Sequence, residues 1–265
     1  MAKRKAARKR GGNLGKKSAY WLYGLHSVAA ALANPERRCL TLLATQQGAA
    51  ALAERMAAPR TSGEPPPAPQ IAGREDLERA LPAGAVHQGV ALLVEPLPAT
   101  DLGAVLPTEG PAVVVALDQV TDPQNLGGIL RSAAGFGALA VVTQGRHAPG
   151  VTPALAKAAS GALEAVPLVQ VNNLVRALEG LKRQGFWVVG LDAEAERPLS
   201  ALDAGARVVL LLGAEGAGLR RLSRETCDFL AAIPLHGPIA SLNVATAAAI
   251  GLYELLGRAR RIDSS

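Results

Sequence analysis

The sequence is poor in aromatic residues and lacks any hydrophobic run long enough to cross a bilayer. Aromatic residues make up 3% of the 265 residues, while hydrophobic residues of all kinds make up 49%, so the core is expected to consist mainly of alanine, leucine and valine. That apolar fraction is ample for one or two packed domains. A membrane-spanning helix needs about 20 consecutive apolar residues, and the absence of such a run predicts a soluble protein that does not act at a membrane.

Disulfide, metal and catalytic-triad chemistry also lack support in the sequence. Cys39 and Cys227 are the only cysteines, which predicts two free thiols in a reducing compartment. The four histidines are scattered along the chain: His26, His87, His147 and His236. Their spacing is not that of metal ligands, so we predict no metal. No nucleophile elbow and no Ser-His-Asp order stands out either.

Positive charge is concentrated at the amino terminus. The formal net charge is +6, and residues 1–19 contain eight lysines and arginines but no acid. The other 20 basic residues face 22 acids, so the rest of the chain carries about −2. We predict a basic disordered tail over residues 1–19. Such a tail on a nearly neutral body is common in proteins that bind a polyanion, although a merely solubilising tail and a mitochondrial targeting segment stay open as alternatives. An apolar secretory signal is missing from these residues.

Residues 20–96 are predicted to form a small α/β domain. Apolar residues at helical spacing predict a helix within Trp21–Ala33, which ends at Asn34 and Pro35 because proline cannot continue a helix. The further predicted elements are a strand at Cys39–Thr45, a helix at Ala49–Ala58, a proline-rich loop at Pro59–Pro69, a helix at Arg74–Leu81 and a strand at His87–Val94. Four prolines between Glu95 and Pro111 predict an interdomain linker over residues 97–111.

Strands and helices alternate regularly in the remaining segment, residues 112–265. The predicted strands are Val113–Leu117, Leu139–Val142, Val166–Val171, Phe186–Leu191, Val208–Leu212 and Phe229–Ile233. The main predicted helices are Leu126–Phe136, Pro153–Ser160, Leu174–Gln184 and Val244–Arg258. This alternation predicts an α/β domain with a mostly parallel sheet and helices on both faces.

The first candidate for a functional site is the loop and helix start at Asp118–Ser132. Asn125 is predicted to cap the following helix, and Gly127 and Gly128 would leave room for a close neighbour. Arg131 follows among apolar residues. That company favours a partly buried, oriented guanidinium over an ordinary surface arginine.

Two more candidate loops follow the last two predicted strands. The glycine loop Gly213–Gly218 contains Glu215, whose carboxylate would be favoured at a helix amino terminus. The glycine spacing of this loop is not that of a dinucleotide site. Ser241 and Asn243 precede the last helix, where either could be an N-cap or belong to a loop that folds over a flat ligand. Ligands of open α/β sheets usually lie at such carboxyl-end loops, so both loops are predicted to contribute to one site.

Three segments taken together resemble the three ordered motifs of the SpoU (TrmH-type, SPOUT) RNA ribose 2′-O-methyltransferases. These segments are Asp122–Ala133, Leu212–Arg221 and Ile233–Val244. Tyr23–Val28 and His87–Val90 also resemble the small RNA-binding domain of the subgroup that methylates a guanosine of 23S ribosomal RNA. The resemblance covers nearly everything from residue 20 onward.

This resemblance implies features that the residue pattern alone does not. It implies a C-terminal trefoil knot in a methyltransferase domain at residues 112–265, an L30e/L7Ae-like N-terminal RNA-binding domain, and a homodimer formed through the catalytic domain. It also implies S-adenosyl-L-methionine as methyl donor without a metal, RNA as substrate, and action in the bacterial cytoplasm, with an organelle as the alternative. The residues expected to line the donor are Gly213, Ile233 and Leu242. The residues expected at the reacting site are Asn125, Arg131, Glu215, Ser241 and Asn243.

The resemblance also suggests roles for the site residues. Arg131 would contact the ribose 2′-OH or the adjacent phosphate and would be held by Glu215 and Asn125, while Ser241 and Asn243 would orient the ribose or the donor. The sequence leaves three alternatives open: an enzyme of the same family that acts on transfer RNA, a non-catalytic RNA-binding assembly factor, and a dinucleotide-dependent oxidoreductase.

Overall fold

Two sheets organise the chain in the computed structural model, which describes residues 19–56, 64–145 and 152–262. The predicted basic tail up to residue 18, residues 59–63 of the proline-rich loop and His147 lie outside the described residues. We call the part built on the first sheet the N-terminal unit (residues 20–94) and the part built on the second sheet the C-terminal unit (residues 112–262). None of the helices in the described ranges is long and apolar enough to cross a membrane.

The N-terminal unit is a four-stranded mixed sheet with three helices. Its elements are β1 (Tyr20–Tyr23), α1 (Leu25–Ala33), β2 (Cys39–Ala44), α2 (Gln46–Arg55), β3 (Pro69–Ile71), α3 (Arg74–Ala80) and β4 (Val90–Val94). The strand order is β1-β4-β2-β3, in which β4 runs antiparallel to both of its neighbours. The predicted small α/β arrangement is therefore confirmed for this part of the chain.

Two predictions in this unit were wrong in part. The helix predicted within Trp21–Ala33 begins only at Leu25, because Tyr20–Tyr23 forms β1 and pairs with β4. Gly24, with φ 87°, separates the two elements in a conformation that favours glycine. The proline-rich loop ends one residue earlier than predicted, because Pro69 begins strand β3, which lies at the edge of the sheet, where a proline removes no hydrogen bond that the ladder needs.

The C-terminal unit is a parallel six-stranded sheet. Helix α4 (Leu102–Val105) precedes this unit. The elements of the unit are β5 (Ala112–Leu117), α5 (Pro123–Phe136), β6 (Ala140–Gln144), α6 (Pro153–Ala159), a 3-10 turn (Ala162–Glu164), β7 (Leu168–Val171), α7 (Leu174–Arg183), β8 (Trp187–Leu191), a second 3-10 turn (Leu199–Ala201), β9 (Arg207–Leu212), α8 (Arg221–Thr226), β10 (Phe229–Ala231) and α9 (Val244–Ile262). The strand order is β10-β8-β9-β5-β6-β7, and every pairing is parallel.

The central strand β5 shows why the sequence folds into a layered structure. All six of its residues are buried. Val113, Val115 and Leu117 belong to the apolar cluster on one face, while the alternating alanines and Val114 belong to the cluster on the other. Side chains of a strand alternate between faces, so an uninterrupted apolar strand requires cover on both sides. The predicted parallel sheet with helices on both faces is confirmed.

The two units are packed against each other. A single buried apolar cluster runs from Leu22 and Val28 in the N-terminal unit to Leu163 in the C-terminal unit. Beside it, Arg37 forms an ion pair with Glu164 at 2.5 Å, and the two side chains are only 1% and 6% exposed. The predicted linker contains α4. Apolar residues of this helix pack on the apolar cluster that contains Val114, on one face of the C-terminal sheet.

Candidate active site

The carboxyl ends of the neighbouring strands β8, β9 and β10 carry the loops of the candidate site. The first part is the glycine loop after β9, which turns back on itself through a bridge between Ala214 and Gly218. A Cβ on Gly213 would lie 2.2 Å from the backbone of Gly218, so only glycine allows the two ends of the loop to approach this closely. The loop leaves Glu215 exposed at its tip.

An amide–carboxylate cluster joins three segments that are far apart in the sequence. Asn243 donates from Nδ2 to Oδ1 of Asn125 at 2.8 Å and to Oε1 of Glu215 at 2.6 Å. Asn125 lies in the first turn of α5, Glu215 in the glycine loop and Asn243 immediately before α9. The three predicted motifs therefore meet at one point through side chains that the sequence predicts for the site.

Asn243 also holds the beginning of α9. Its Oδ1 accepts hydrogen bonds from the backbone N–H groups of Ala245 at 2.9 Å and Thr246 at 3.3 Å, which is the geometry of an N-cap. The N–H of Val244 donates to Glu215 Oε1 at 3.4 Å. The Glu215 carboxylate is thus stabilised at the amino terminus of α9 rather than at that of the next helix along the chain. The capping prediction is confirmed for Asn243, and the same side chain serves both the cap and the cluster.

A cavity of about 330 Å³ lies between the loops that follow β8, β9 and β10. Its lining includes all three residues predicted for the donor, Gly213, Ile233 and Leu242, and two predicted for the reacting site, Glu215 and Ser241. The volume lies in the range of small-molecule sites in proteins. The cavity therefore opens next to the amide–carboxylate cluster.

The wall of the cavity combines apolar side chains with carboxylates. Leu191 and Leu212 contribute apolar surface, and Asp192 and Glu194 follow β8. Asp192 forms an ion pair with Arg224, and its Oδ1 also accepts from the Glu194 N–H at 2.9 Å. Arg224 lines the cavity as well, so three acids, Asp192, Glu194 and Glu215, face one arginine there, and the acidic excess suits a ligand that carries positive charge.

Two sequence predictions about the first motif were wrong in detail. Asp122, not Asn125, caps α5: its Oδ2 accepts from the Asn125 N–H at 2.9 Å, and Pro123 occupies the first helical position. Arg131 is exposed rather than partly buried. It makes no hydrogen bond or ion pair with the residues that the structure describes, and the Asn243 amide takes the place between Asn125 and Glu215 that had been expected for the guanidinium.

The predicted close approach at the start of α5 is confirmed. A Cβ on Gly127 would lie 2.4 Å from the Ala158 Cβ and under 3 Å from the backbone of α6. Helices α5 and α6 can therefore pack backbone to backbone, which fixes the position of Asn125 relative to the loops. Ser241 is exposed and lines the cavity.

Sequence reasoning missed a second polar contact between the same loops. Asp118, at the end of β5, is almost fully buried, and its carboxylate binds Arg220, which follows the glycine loop. The signal was available, because an acid that directly ends a buried strand needs a cationic or hydrogen-bonding partner. In the described parts of the chain, no group of three or more histidine, cysteine or acidic side chains is arranged to hold a metal ion.

The fold and the site together define a two-part protein, in which a parallel α/β unit holds a ligand-sized cavity and a small mixed α/β unit is docked beside it. Comparison with known proteins assigns both parts. Residues 112–253 match the SpoU rRNA Methylase family, and residues 21–100 match the RNA 2′-O ribose methyltransferase substrate-binding domain. The chain belongs to the SpoU rRNA methylase family.

The chain is similar in sequence or structure to several known proteins. It is 38% identical to the 23S rRNA (guanosine-2′-O-)-methyltransferase RlmB of Pseudomonas putida, over 88% of this chain and 94% of that protein. It is 46% identical to the RlmB of Coxiella burnetii, over 64% of this chain and 69% of that protein. Among solved structures, the SpoU methyltransferase AviRb of Streptomyces viridochromogenes in complex with AdoMet is 28% identical with a TM-score of 0.73, covering 92% of this chain and 91% of that one.

Proposed function

We propose that this protein transfers a methyl group from S-adenosylmethionine to the ribose 2′-OH of a guanosine in 23S ribosomal RNA. The observation that carries the proposal is the contact of Asn243 with both Asn125 and Glu215, because it joins the three motif segments beside the cavity. The names of the relatives support the substrate, and the substrate-binding domain supports an RNA.

The residues of the cavity fit the methyl donor. S-adenosylmethionine is cationic at sulfur and at its amino group, and it supplies an already activated methyl group, so the reaction needs no metal. Gly213, Ile233 and Leu242 would hold the donor among the loops after β9 and β10. Arg224 pairs with Asp192 at the cavity wall, and the further acids Glu194 and Glu215 leave an excess of negative charge that suits a cation.

The chain's own groups then have to align a weak nucleophile. Correct positioning of two reacting groups can contribute about 7–11 kcal/mol at best, which makes a rigid site valuable. Asn125, Glu215 and Asn243 form the fixed part of that site, and Ser241 at the cavity wall would orient the ribose or the donor. Arg131 would contact the 2′-OH or its phosphate. An arginine stays protonated at neutral pH, so its role is to position and to stabilise negative charge.

A homodimer is part of the proposal. Ile250 and Tyr253 are exposed apolar residues one helical turn apart on α9, and the Tyr253 ring contacts Phe136 at the end of α5. Arg131 is also exposed on α5, about 9 Å along the helix axis from Asn125. A second copy that covered these two helices would bury the apolar residues and bring Arg131 to a reacting site, whether its own or that of the partner.

We further propose the domain boundaries 20–96, 97–111 and 112–265 for the small domain, linker and methyltransferase domain, with an L30e/L7Ae-like fold for the first and a trefoil knot in the last. The return of the chain after β10 to the loop that follows β9 supports the knot, because Asn243 and Glu215 touch across 28 residues. The bacterial relatives support action in the bacterial cytoplasm.

Mapping of 2′-O-methyl groups in ribosomal and transfer RNA from cells that lack the gene tests the proposal. We expect the loss of one guanosine methylation in 23S ribosomal RNA, restored by the intact gene and not by an Arg131→Ala copy. A lost methylation in transfer RNA would instead indicate the transfer-RNA enzyme of this family. Unchanged methylation everywhere would indicate a non-catalytic RNA-binding protein.

A further inference from the structure

The glycine loop is anchored at its far end by a buried ion pair. Asp118 directly follows β5, and its side chain is 0% exposed. Its Oδ2 accepts the backbone N–H of Arg220 at 3.0 Å, and its Oδ1 accepts Nε of the same arginine at 2.6 Å. A buried carboxylate is costly unless it is paired with a cation and hydrogen-bonded, and Arg220 supplies both kinds of partner.

A second contact fixes the plane of the guanidinium. Gln144, the last residue of β6, accepts a hydrogen bond at Oε1 from Nη2 of Arg220 at 2.9 Å. The arginine is thus held from two neighbouring strand ends, β5 and β6, and retains little rotational freedom. An arginine held in this way has already lost the side-chain entropy that an ordinary surface arginine loses on binding.

The guanidinium nevertheless faces outward. The Arg220 side chain is 41% exposed, whereas a purely structural partner for Asp118 could be covered. Among the described residues, its Nη1 has no hydrogen-bond partner, so two N–H groups remain available. A rigid arginine with free N–H groups is suited to bind an anionic oxygen, above all that of a phosphate.

The position of Arg220 relates it to the reacting site. The loop from β5 to α5 begins with Asp118 and leads into the first turn of α5, which contains Asn125, and the loop after β9 carries Glu215 and Arg220. The two loops therefore meet twice, once through the Asn243 amide and once through the Asp118–Arg220 pair. Leu219 lines the donor cavity, whereas Arg220 does not. The anionic oxygen that Arg220 would bind is therefore expected to belong to the RNA and not to the donor.

We infer that Arg220 is a substrate-positioning residue whose guanidinium binds a backbone phosphate of the RNA beside the methylated nucleotide. The inference rests on the proposed function and gives a role to a residue that lies within the second motif segment but was not among the predicted site residues. Asp118 and Gln144 are the residues that orient it. Arg221, by contrast, is 75% exposed and paired with Glu225 on its own helix, so the neighbouring arginine lacks this fixed geometry.

The test compares Arg220→Gln with the matched control Arg221→Gln, since both remove one positive charge at adjacent positions. Binding to an unmethylated 23S ribosomal RNA transcript is measured by fluorescence anisotropy at several salt concentrations, and binding of S-adenosylmethionine is measured by calorimetry. We expect Arg220→Gln to raise the Kd for the RNA about tenfold, since hydrogen bonds to charged groups are stronger than neutral ones. The slope of log K against log salt should become shallower by about 0.7, the value for one phosphate contact on a single strand. The Kd of Arg220→Gln for S-adenosylmethionine should stay unchanged. The methyl-transfer activity of the control Arg221→Gln should stay unchanged as well.

Arg220→Gln leaves Asp118 unpaired and could therefore unfold the loop. The double variant Asp118→Asn/Arg220→Gln removes both charges and is measured in parallel. Unchanged RNA affinity and salt slope in a folded variant would overturn the inference, and so would a weaker affinity for S-adenosylmethionine with normal RNA binding, because the arginine would then serve the donor. Wild-type methylation of the same transcript is the separate test of the proposed function, so failure of that reaction is distinguished from failure of the Arg220 inference.

Discussion

The buried ion pair between the two units gives a quantitative prediction for the stability of the whole chain. Arg37 donates from Nε to both carboxylate oxygens of Glu164 at 3.1 Å and from Nη2 at 2.5 Å. Its Nη1 donates to the Glu95 carbonyl, and Asn34 donates to Glu164 at 2.8 Å. Burial by itself disfavours the charged guanidinium, but the hydrogen bonds and charge of Glu164 outweigh it, so the pKa of Arg37 is raised. Glu164 is therefore the counterion that makes this burial tolerable.

Replacement of Glu164 by alanine should destabilise the protein strongly. Removal of one partner of a buried pair leaves an uncompensated charge and costs about 3–5 kcal/mol. A loss of 1 kcal/mol lowers the Tm by about 2–4 °C in a chain of this size class, so the expected decrease is roughly 6–20 °C. Thermal unfolding followed by circular dichroism measures it. The matched control is Glu225→Ala, which removes an exposed ion pair with Arg221 and should cost less than about 1 kcal/mol.

The double variant Arg37→Met/Glu164→Leu separates unpaired charge from lost packing. Apolar residues of similar volume often replace a buried pair at little cost, so most of the lost Tm should return. If Glu164→Ala melted no lower than Glu225→Ala, the pair would not hold the two units together. If the double variant were as unstable as the single one, the unpaired charge would not be the cause.

Three other predictions concern the site, a cysteine and the tail. Asn243→Ser keeps an acceptor for the α9 cap but loses the amide donor to Glu215. We therefore expect kcat to fall at least tenfold with little change in Tm. A variant as active as the wild type would contradict the role of the cluster. Burial and, to a smaller extent, the Asp228 carboxylate raise the pKa of Cys227 to about 11, so the thiol stays protonated at pH 8. In a Cys39→Ser background, we expect the Cys227 thiol to react with Ellman's reagent about 100-fold more slowly in the native than in the unfolded protein, and to react faster as the pH approaches its pKa. Equal rates in the native and the unfolded protein would contradict this. Deletion of residues 1–17 should weaken RNA binding most at low salt and leave donor binding unchanged, because eight positive charges are lost; equal losses at all salt concentrations would contradict it.

The sequence predicted the C-terminal sheet well because its strands are continuous apolar runs. Five residues such as Val208–Leu212 without a polar interruption can only be buried on both faces, and the structure has them as most of β9. Predictions failed where pairing partners rather than local pattern decide the structure. Tyr20–Tyr23 has apolar residues that suit a helix or a strand, and only its register with β4 makes it a strand. Edge strand β3 has no periodic signal in its three residues.

The site was predicted in composition but not in its detailed contacts. The resemblance brought together Asn125, Glu215 and Asn243, and the structure joins all three. No local pattern could show that an amide, rather than the Arg131 guanidinium, bridges the other two, because that contact depends on how α5 and α9 pack. The position of Asp118 after a buried strand indicates that it needs a partner, but no local pattern shows that the partner is Arg220, 102 residues away.

The most direct test of the central claim is a methyl-transfer assay with purified protein, unmethylated 23S ribosomal RNA and S-adenosylmethionine labelled in the methyl group. A methyl group on the 2′-oxygen blocks alkaline cleavage of the adjacent phosphodiester bond, so alkaline digestion distinguishes ribose from base methylation. We predict that the label appears in one alkali-resistant dinucleotide that begins with guanosine. Label in alkali-sensitive mononucleotides, or no transfer by a protein that binds both the donor and the RNA, would contradict the account.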